Sequence, residues 1–540
     1  MLIAVPIGAL SRTASGGHIA GFIETTPAPL PMTRPTRSIA ALWCLTLGLL
    51  LAGVGAHALG AAQVDSTVAS AALESAPAAI ATVAPASPQL GGVGQSLDTS
   101  LADRGRSLVG LLLLLGLAWG VSTNRRKIAW RLIIWGMALQ LVFAVFILKT
   151  PIGAIFFDTM NDVVVALLGF TVDGARFIFG DLVFNTVPVG MGVPGTNNPI
   201  DAAPQMVAQT GAFFAFNVLP TIIFFSSLMT LLYHLGLMQV IVKGVAWVMQ
   251  RTMKTSGAET LSAAGNIFVG QTEAPLLIKP FISSMTRSEL MAVMTGGFAT
   301  VAGGVMAAYV GMLVAFFPDI AGHLMAASVM SAPAALVVAK LMVPEEDTPE
   351  TAGKLTIQVD RPDANVIDAA ARGAGEGLHL ALNVGAMLLA FIALIELVNA
   401  LLGWGAGLVG FDGLSLQSVF GFVLAPVAWI MGVPWADARV VGELMGLKTV
   451  LNEFVAYLNF APYLGDAPAM VLTEKTKAII SFALCGFANL SSIAILLGGL
   501  GSIAPNRRSD IARFGLKAVF AATLSNLMSA TIAGLFMSFA

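Results

Sequence analysis

The sequence predicts an all-α polytopic membrane protein with eight transmembrane helices, two re-entrant hairpins in an inverted repeat, and interfacial helices. Three observations lead to this fold class. Only 11% of the 540 residues are charged, less than half of the roughly 25% usual in soluble proteins. Apolar runs long enough to cross a ~30 Å hydrocarbon layer recur along the chain. Two further apolar segments are interrupted by polar residues in corresponding halves of the chain, as in carriers with broken helices.

The composition excludes several classes of protein. A net charge of -2 and the lack of a long basic block argue against a nucleic-acid binder. Two cysteines, Cys44 and Cys485, cannot build a disulfide framework or a thiolate metal cluster. The sequence has no HExxH pair, no GxxxxGK[ST] loop and no GxSxG elbow, which argues against a zinc metalloprotease, ATP-driven transport and the common serine hydrolases.

Residues 1–105 are predicted to lie outside the membrane domain, which we place at 106–540. Residues 1–31 end in a proline cluster, so we expect an upstream extension with the true start at Met32. Residues 32–62 combine basic residues, a short apolar run and the small-residue pattern Ala56-His57-Ala58, typical of a secretory signal peptide; an extra membrane segment is the alternative. Residues 63–105 begin with a stretch rich in Ala, Ser, Pro, Gln and Gly, and are predicted to form a flexible extracytoplasmic linker.

Eight apolar runs are predicted to span the membrane: Leu108–Val121, Leu132–Leu148, Ala212–Leu235, Leu290–Phe316, Ile320–Met342, His379–Leu402, Ala478–Leu500 and Ile511–Phe539. Six of these spans separate the basic clusters at 125–127 and 507–513, so both clusters can be cytoplasmic, as the positive-inside rule requires. The linker and the C-terminus then lie outside. Between the second and third spans, Ile152–Asn185 is interrupted by four aspartates and an arginine, a pattern that favours helices lying in the membrane interface.

The two interrupted segments belong to an internal repeat. They are Leu261–Pro280 and Val440–Phe460, which we interpret as hairpins over about 261–286 and about 437–462. The span after the first contains GFATVAGG from Gly297, and the span after the second contains GFANLSSI from Gly486. By the span count, the hairpins enter from opposite faces and meet midway. Paired broken segments of this kind indicate the midplane binding site of a carrier.

Each predicted hairpin contains a carboxylate at bilayer depth, Glu273 or Glu453. A carboxylate there costs roughly 2.5–3.5 kcal/mol on insertion scales, and its occurrence in both repeats favours a functional role. The alternative is that these groups hold helices together by interhelical hydrogen bonds. Lys448 is expected either to pair with a carboxylate of the hairpin or to extend to the membrane interface.

Three phrases occur in order: GNIFVGQTEAP at Gly265–Pro275, LNEFVAY at Leu451–Tyr457 and ALCGFAN at Ala483–Asn489. In these phrases the chain resembles the concentrative nucleoside transporter family. The likeness extends from about Leu108 to the C-terminus and leaves residues 1–100 uncovered. It implies a nucleoside transporter domain over 106–540, as a homotrimer in a bacterial inner membrane. Spans two, three and six would form the scaffold, and the hairpins with their following spans would form the transport part.

The resemblance also implies eight substrate ligands from both repeats: Gln271, Thr272, Glu273, Val305, Glu453, Phe487, Asn489 and Ser492. The first three would bind the nucleobase, whose edge offers donors and acceptors that an amide, a hydroxyl and a carboxylate can match. Val305 and Phe487 would form apolar walls. Glu453, Asn489 and Ser492 would bind the ribose hydroxyls, because a carboxylate accepts from hydroxyl donors in charge-assisted hydrogen bonds.

A sodium ion is the expected coupling ion. Its implied ligands are five oxygens near the first hairpin: the Asn266 side chain, the Val269 carbonyl, the Thr272 hydroxyl, the Thr300 hydroxyl and the Val301 carbonyl. Carbonyls freed at helix breaks are recurrent sodium ligands in transporters, and glycines 296, 297, 303 and 304 favour a break here. The family often has Ser where Thr300 stands; Thr keeps the hydroxyl and adds a methyl group. Proton coupling through Glu273 is the alternative.

The sequence therefore predicts a sodium-coupled secondary symporter that imports nucleosides by alternating access, with no organic cofactor. A carrier of another small polar solute, such as a nucleobase, is the alternative; it would not need Glu453 together with Asn489 and Ser492. An intramembrane enzyme would need a nucleophile next to a base, and the span histidines His234, His323 and His379 supply no such pair.

Overall fold

The described part of the chain is mostly helical. The computed structural model describes residues 101–184, 186–188, 207–209, 214–353, 363–408, 410, 413–464 and 468–536. Its helices are α1 Leu101–Gly120, α2 Trp130–Lys149, α3 Pro151–Phe179, α4 Phe214–Asn217, α5 Leu219–His234, α6 Leu237–Met253, α7 Gly257–Gly265, α8 Lys279–Ile282, α9 Arg287–Ala299, α10 Gly303–Leu313, α11 Ile320–Met342, α12 Val366–Gly407, α13 Leu416–Ile430, α14 Trp435–Val450, α15 Glu453–Phe460, α16 Glu474–Leu484, α17 Leu490–Ile503 and α18 Arg508–Phe536. Short 3₁₀ helices cover Gly180–Val183, Ala274–Ile278, Ala461–Tyr463 and Pro505–Arg507. The predicted extension at 1–31, the signal or membrane segment at 32–62 and the linker as far as residue 100 lie outside the described residues.

The all-α prediction is confirmed, with one small addition. Two three-residue strands, β1 Thr186–Pro188 and β2 Val207–Gln209, pair antiparallel in the connection between α3 and α4. Among the described residues, seven helical stretches are long and apolar enough to cross a membrane, and an eighth follows if α13 and α14, between which the chain bends by 119°, are counted as one span. The α1 helix, which carries the first predicted span, is not among the seven, and three charged residues lie in its first two turns.

Both Gly-Phe-Ala spans are broken helices. The first stops at Ala299 and resumes at Gly303, where the glycines favour a break. The second, predicted as continuous over Ala478–Leu500, is instead split into α16 and α17, and the chain between them is extended at Asn489. Two features mark the break: Gly486 has φ +140°, a conformation that residues with side chains rarely adopt, and Asn489 caps the new helix by accepting from the Ser492 N–H at 2.8 Å.

The stretch predicted to lie in the interface is one continuous helix, α3, of 29 residues. An 18-residue stretch of this helix has a mean hydropathy of 1.6, which is high enough for a span. Its charged residues Asp158, Asp162, Asp173 and Arg176 are all exposed and fall within about 60° of one another at 100° per residue. One charged face opposite an apolar one is typical of an interfacial helix, so the interfacial placement stays a prediction.

The two hairpins open toward opposite ends of α1. Arg106, near the start of α1, donates to the carbonyl of Val433, just before the first arm of hairpin two (3.3 Å). Thr123, just after α1, bonds to the end of α11 (2.9 Å), and so does Ser288, in the helix that follows hairpin one (2.6 Å). A 20-residue helix is ~30 Å long. The bases of the two hairpins are therefore separated by about the thickness of the membrane core, as the predicted inverted repeat requires.

The helix α18 lies at the centre of the described bundle. It packs against both halves of the second broken span, the first half of the other, and α1, α2 and α11. Most of its residues from Ala518 to Gly534 are buried. All described residues belong to one compact unit, Pro88–Ala540. The central position of α18 lets a single polar residue on it contact elements of both repeats.

Candidate transport site

Hairpin one brings its polar residues to a tight turn between α7 and a 3₁₀ helix. Asn266 follows the last residue of α7, and the Val269 N–H returns to the Gly265 carbonyl at 3.0 Å. At the tip, the Glu273 carboxylate accepts from the Gly270 N–H at 3.3 Å. The Glu273 side chain is exposed, whereas Gln271 is 5% exposed. The tip thus presents a carboxylate to open space and buries an amide beside it.

Two buried side-chain oxygens of hairpin one lack a hydrogen-bond partner among the described residues. They are Asn266 Oδ1 and Gln271 Oε1. Both side chains face α9: a Cβ built on Gly297 would lie 3.9 Å from Asn266 Oδ1 and 3.0 Å from the Gln271 Cβ. A buried acceptor without a donor costs roughly 1–3 kcal/mol. A buried acceptor without a donor is consistent with a binding site in which a cation, or a hydrogen-bond donor of the substrate, becomes its partner.

The first break lies next to these amides. Thr300, which follows the last residue of α9, is 1% exposed, and its hydroxyl donates to the Gly296 carbonyl at 2.9 Å. Val301 is fully buried. The five expected sodium positions thus lie on the hairpin-one turn and on the break beside it. The set is made of amide, hydroxyl and carbonyl oxygens, which suits a hard cation. Thr272 is half-buried, so its hydroxyl can serve either this set or the substrate.

The second repeat places a buried carboxylate between two donors. Glu453 begins α15 and is 4% exposed. Its Oε1 accepts from the Tyr309 hydroxyl at 2.7 Å, and its Oε2 accepts from Asn489 Nδ2 at 2.8 Å. The preceding residue, Asn452, caps α15 by accepting from the Val455 N–H at 2.9 Å. Each carboxylate oxygen can accept a second hydrogen bond, so Glu453 keeps capacity for hydroxyl donors from a ligand.

The remaining predicted ligands lie along the two broken spans. Ser492 is 1% exposed, and its N–H is held by Asn489 Oδ1. Val305 is 6% exposed, one turn before Tyr309 on α10. Phe487 is half-buried within the second break. The structure therefore brings Glu453 and Asn489 into direct contact and holds Ser492 against Asn489.

The two repeats touch at their breaks. The Phe487 N–H donates to the Thr300 carbonyl at 3.4 Å, which joins one break to the other. The Thr272 methyl group packs against α17, where a Cβ on Gly499 would lie 2.8 Å from it. Within the described residues, no direct hydrogen bond joins Glu273, Gln271 or Thr272 to Glu453. Among the described residues, the predicted nucleobase ligands thus form one group on hairpin one, and the predicted ribose ligands form a second group that includes Glu453.

Sequence reasoning missed two polar residues and left the position of a third, Lys448, open between two alternatives. Tyr309 and Asn526 were not singled out, although a tyrosine and an asparagine within apolar spans are signals in themselves. The expectation that Lys448 extends to the membrane interface is wrong, because the residue is 2% exposed; its amine donates to the Ala483 carbonyl (2.9 Å) and to Asn526 Oδ1 (2.8 Å). Lys448 and Glu453 do interact electrostatically, but without a direct hydrogen bond.

The two hairpins point in opposite directions, and each is followed by a broken span. The two broken spans meet at their breaks. This arrangement is typical of a secondary carrier with a midplane binding site. Three family models agree with this class. "Na+ dependent nucleoside transporter N-terminus" matches residues 109–182, "Nucleoside recognition" matches 215–316, and "Na+ dependent nucleoside transporter C-terminus" matches 323–534. The chain belongs to the concentrative nucleoside transporter family, as its sequence phrases suggested. Its relatives are transporters and not enzymes.

Individual relatives support the same assignment. The nucleoside permease NupC of Helicobacter pylori is 44% identical over 431 residues, which cover 80% of this chain and 97% of the permease. The sodium/nucleoside cotransporter 1 of Rattus norvegicus is 41% identical over 455 residues, 82% of this chain and 65% of the cotransporter. Among solved structures, that of CNTnw in an inward-facing substrate-bound state is 45% identical, with a TM-score of 0.72, and covers 80% of this chain and 98% of CNTnw.

Proposed function

We propose that this protein is a sodium-coupled symporter that imports nucleosides across a bacterial inner membrane by alternating access. The observation that carries the proposal is the buried carboxylate of Glu453, held by Tyr309 and Asn489 where the two broken spans meet. A buried carboxylate with unused acceptor capacity suits a solute that offers adjacent hydroxyl groups. The ribose of a nucleoside is such a solute.

In this proposal the two groups of side chains divide the substrate between them. Glu453, Asn489 and Ser492 bind the ribose hydroxyls, with Val305 and Phe487 as apolar walls. Gln271, Thr272 and Glu273 bind the nucleobase from the tip of hairpin one. The Gln271 amide oxygen, buried and without a donor among the described residues, is suited to accept from a base N–H. A site built for hydroxyls rejects a solute that lacks them, because its polar groups are then left unpaired.

Sodium is the proposed coupling ion, held by Asn266, Val269, Thr272, Thr300 and Val301. The buried Asn266 Oδ1, which no described donor reaches, supports this assignment, and so does the name of the matching family models. When bound, the ion supplies positive charge to the ends of α7 and α9, whose free carbonyls carry partial negative charge. Proton coupling through Glu273 remains the alternative, because that side chain is exposed at the hairpin tip.

The proposed assembly is a homotrimer in which the hairpins and their following spans move against a static scaffold. The apolar exposed surface of α12, which includes Leu389 at 77% exposure and Leu397 at 56%, is compatible with contacts to lipid or to another subunit. The trimer is proposed because the chain resembles this family.

Uptake into liposomes tests the function and its coupling ion together. Purified protein is reconstituted, and radiolabelled uridine uptake is measured with a sodium gradient and with a proton gradient imposed separately. We expect saturable, concentrative uptake with the sodium gradient alone, competed by unlabelled uridine and not by uracil. Uptake driven equally well in sodium-free buffer by a pH gradient would replace sodium with the proton. Equal competition by uracil would replace the nucleoside with a nucleobase.

A further inference from the structure

We propose that Lys448 is the fixed counterpart, in the second repeat, of the coupling ion in the first. In this role its amine holds the half-helix end of the second broken span and, through Asn526, the half-helix end of the first. The inference rests on the proposed function, since it extends the sodium assignment to a residue that contacts neither substrate nor sodium.

The two half-helices α9 and α16 end close to one another. Each ends with carbonyl groups that have no partner in their own helix, and each end carries the partial negative charge of its helix dipole. Lys448 donates to the carbonyl of Ala483, in the last turn of α16, at 2.9 Å. Asn526 on α18 donates through Nδ2 to the carbonyl of Ala299, the last residue of α9, at 2.7 Å. These two donors meet, since Lys448 also donates to Asn526 Oδ1 at 2.8 Å.

The junction is buried and closely packed. Lys448 is 2% exposed and Asn526 is fully buried. Gly486 lies against them with φ +140°, and a Cβ there would come within 2.6 Å of Asn526 Oδ1 and 2.8 Å of the Ala299 carbonyl oxygen. A residue other than glycine would therefore separate the two breaks. The two half-helix ends can therefore approach this closely only because residue 486 is a glycine.

The internal repeat allows the position of Lys448 in the second repeat to be compared with that of the proposed sodium ion in the first. In the first repeat, the proposed ion is bound by the hairpin-one turn and by the break after α9. In the second repeat, the hairpin supplies its own cationic side chain, and that side chain bonds to the half-helix before the break. A free cation can leave during transport, whereas Lys448 cannot. The second break is thereby held together throughout the cycle, and the first is left to assemble with the ion.

Asn526 connects the two positions. Its Nδ2 holds the carbonyl that directly precedes Thr300, a proposed sodium ligand, and its Oδ1 is fixed by Lys448. An amide has distinct donor and acceptor ends, so the bond to Lys448 keeps the donor end toward Ala299. Loss of the Lys448 amine frees the amide to reorient, and the carbonyl that precedes the ion site loses its fixed donor. Sodium affinity should then fall without any change in the ligands themselves.

Thermal unfolding of the purified protein in detergent, titrated with sodium chloride against choline chloride at constant ionic strength, tests this. For Lys448→Met we expect the sodium concentration that gives half of the stabilisation to rise at least about fivefold, the lower end of typical couplings between sites. Asn526→Ala should cause a similar rise, and the double variant little more. The matched control is Lys477→Met, which removes the amine of the Lys477–Glu474 pair on the same half-helix, α16, and should leave the sodium dependence unchanged.

A lower melting temperature with the same sodium midpoint in both variants would reduce Lys448 to a structural residue and overturn the inference. If Lys448→Met does not fold, Asn526→Asp replaces the donor to Ala299 while keeping an acceptor for Lys448; an unchanged sodium midpoint in that variant would also overturn it. Absence of any sodium-specific stabilisation in the wild type would be a different failure. It would remove the proposed coupling ion, and the inference about Lys448 would fall with it.

Discussion

The hydroxyl of Tyr309 donates a 2.7 Å hydrogen bond to Oε1 of Glu453, a residue 144 positions further along the chain. Tyr309 lies on α10, after the first break, and Glu453 begins the second arm of hairpin two. The bond therefore joins the two repeats at the carboxylate proposed to bind ribose. It also fixes one side of that carboxylate, so that its remaining lone pairs have a defined direction.

Removing this hydroxyl should weaken nucleoside binding without abolishing it. Tyr309→Phe keeps the ring, which packs edge-on against Phe454, and leaves Glu453 with the Asn489 donor. Because hydrogen bonds to charged groups contribute about 1.5–3 kcal/mol and a ligand hydroxyl can replace part of this, we expect a loss of roughly threefold to tenfold in affinity. Nucleoside half-saturation in liposome uptake measures it. Tyr457→Phe is the control, since that hydroxyl donates to the Ser481 carbonyl; an equal loss there would show a packing effect.

Replacing the carboxylate itself should be more costly. Glu453→Gln keeps the volume and changes one acceptor oxygen to a donor amide. The lost charge-assisted bonds should reduce nucleoside affinity by about one to two decades, from roughly 1.5–3 kcal/mol. Equilibrium binding of labelled nucleoside to purified protein gives the value. Glu443→Gln changes a carboxylate on the preceding arm, paired with Arg439, and should bind normally. Unchanged affinity in Glu453→Gln would remove Glu453 from the site.

The Asn266 side chain should determine sodium affinity. Asn266→Ala deletes the buried Oδ1 that no described donor reaches, and it leaves the Glu453 group intact. We expect the sodium concentration for half-maximal uptake to rise, while nucleoside half-saturation at very high sodium stays near the wild-type value. Asn459→Ala deletes an amide bonded to the Val455 carbonyl within hairpin two and should change neither. An unaltered sodium dependence in Asn266→Ala would contradict the assignment.

A buried ion cluster at the base of hairpin one should stabilise the fold. Lys340 on α11 contacts Glu259 of the hairpin at 2.7 Å and Glu345 at 2.9 Å, and its side chain is 4% exposed. Lys340→Met would leave Glu259 buried without its cation, which typically costs ~3–5 kcal/mol. We expect a clear fall in melting temperature. Lys477→Met breaks a partly exposed pair with Glu474 and should cost at most about 1 kcal/mol. Equal melting temperatures would show that the cluster contributes nothing net.

The sequence by itself determined the features that depend on residues close together in the chain. The eight apolar runs, the two interrupted segments and their repeated phrase depend on the order of neighbouring residues. The sequence also predicted the break after Ala299, because glycines surround it, and the two carboxylates Glu273 and Glu453. These local signals were enough to indicate the fold class and the family.

The tertiary structure alone decided which polar groups meet. Lys448 reaches Asn526 across 78 positions, and Asn526 reaches Ala299 across 227. No periodicity links such distant residues, and each would be acceptable alone as an ordinary polar residue between helices. The break at Gly486 was missed because its cause lies in this junction: the left-handed backbone there lets two half-helix ends come together. A buried hydrogen bond is strong only where its partners are held in place and dry, and that is a property of the assembled fold.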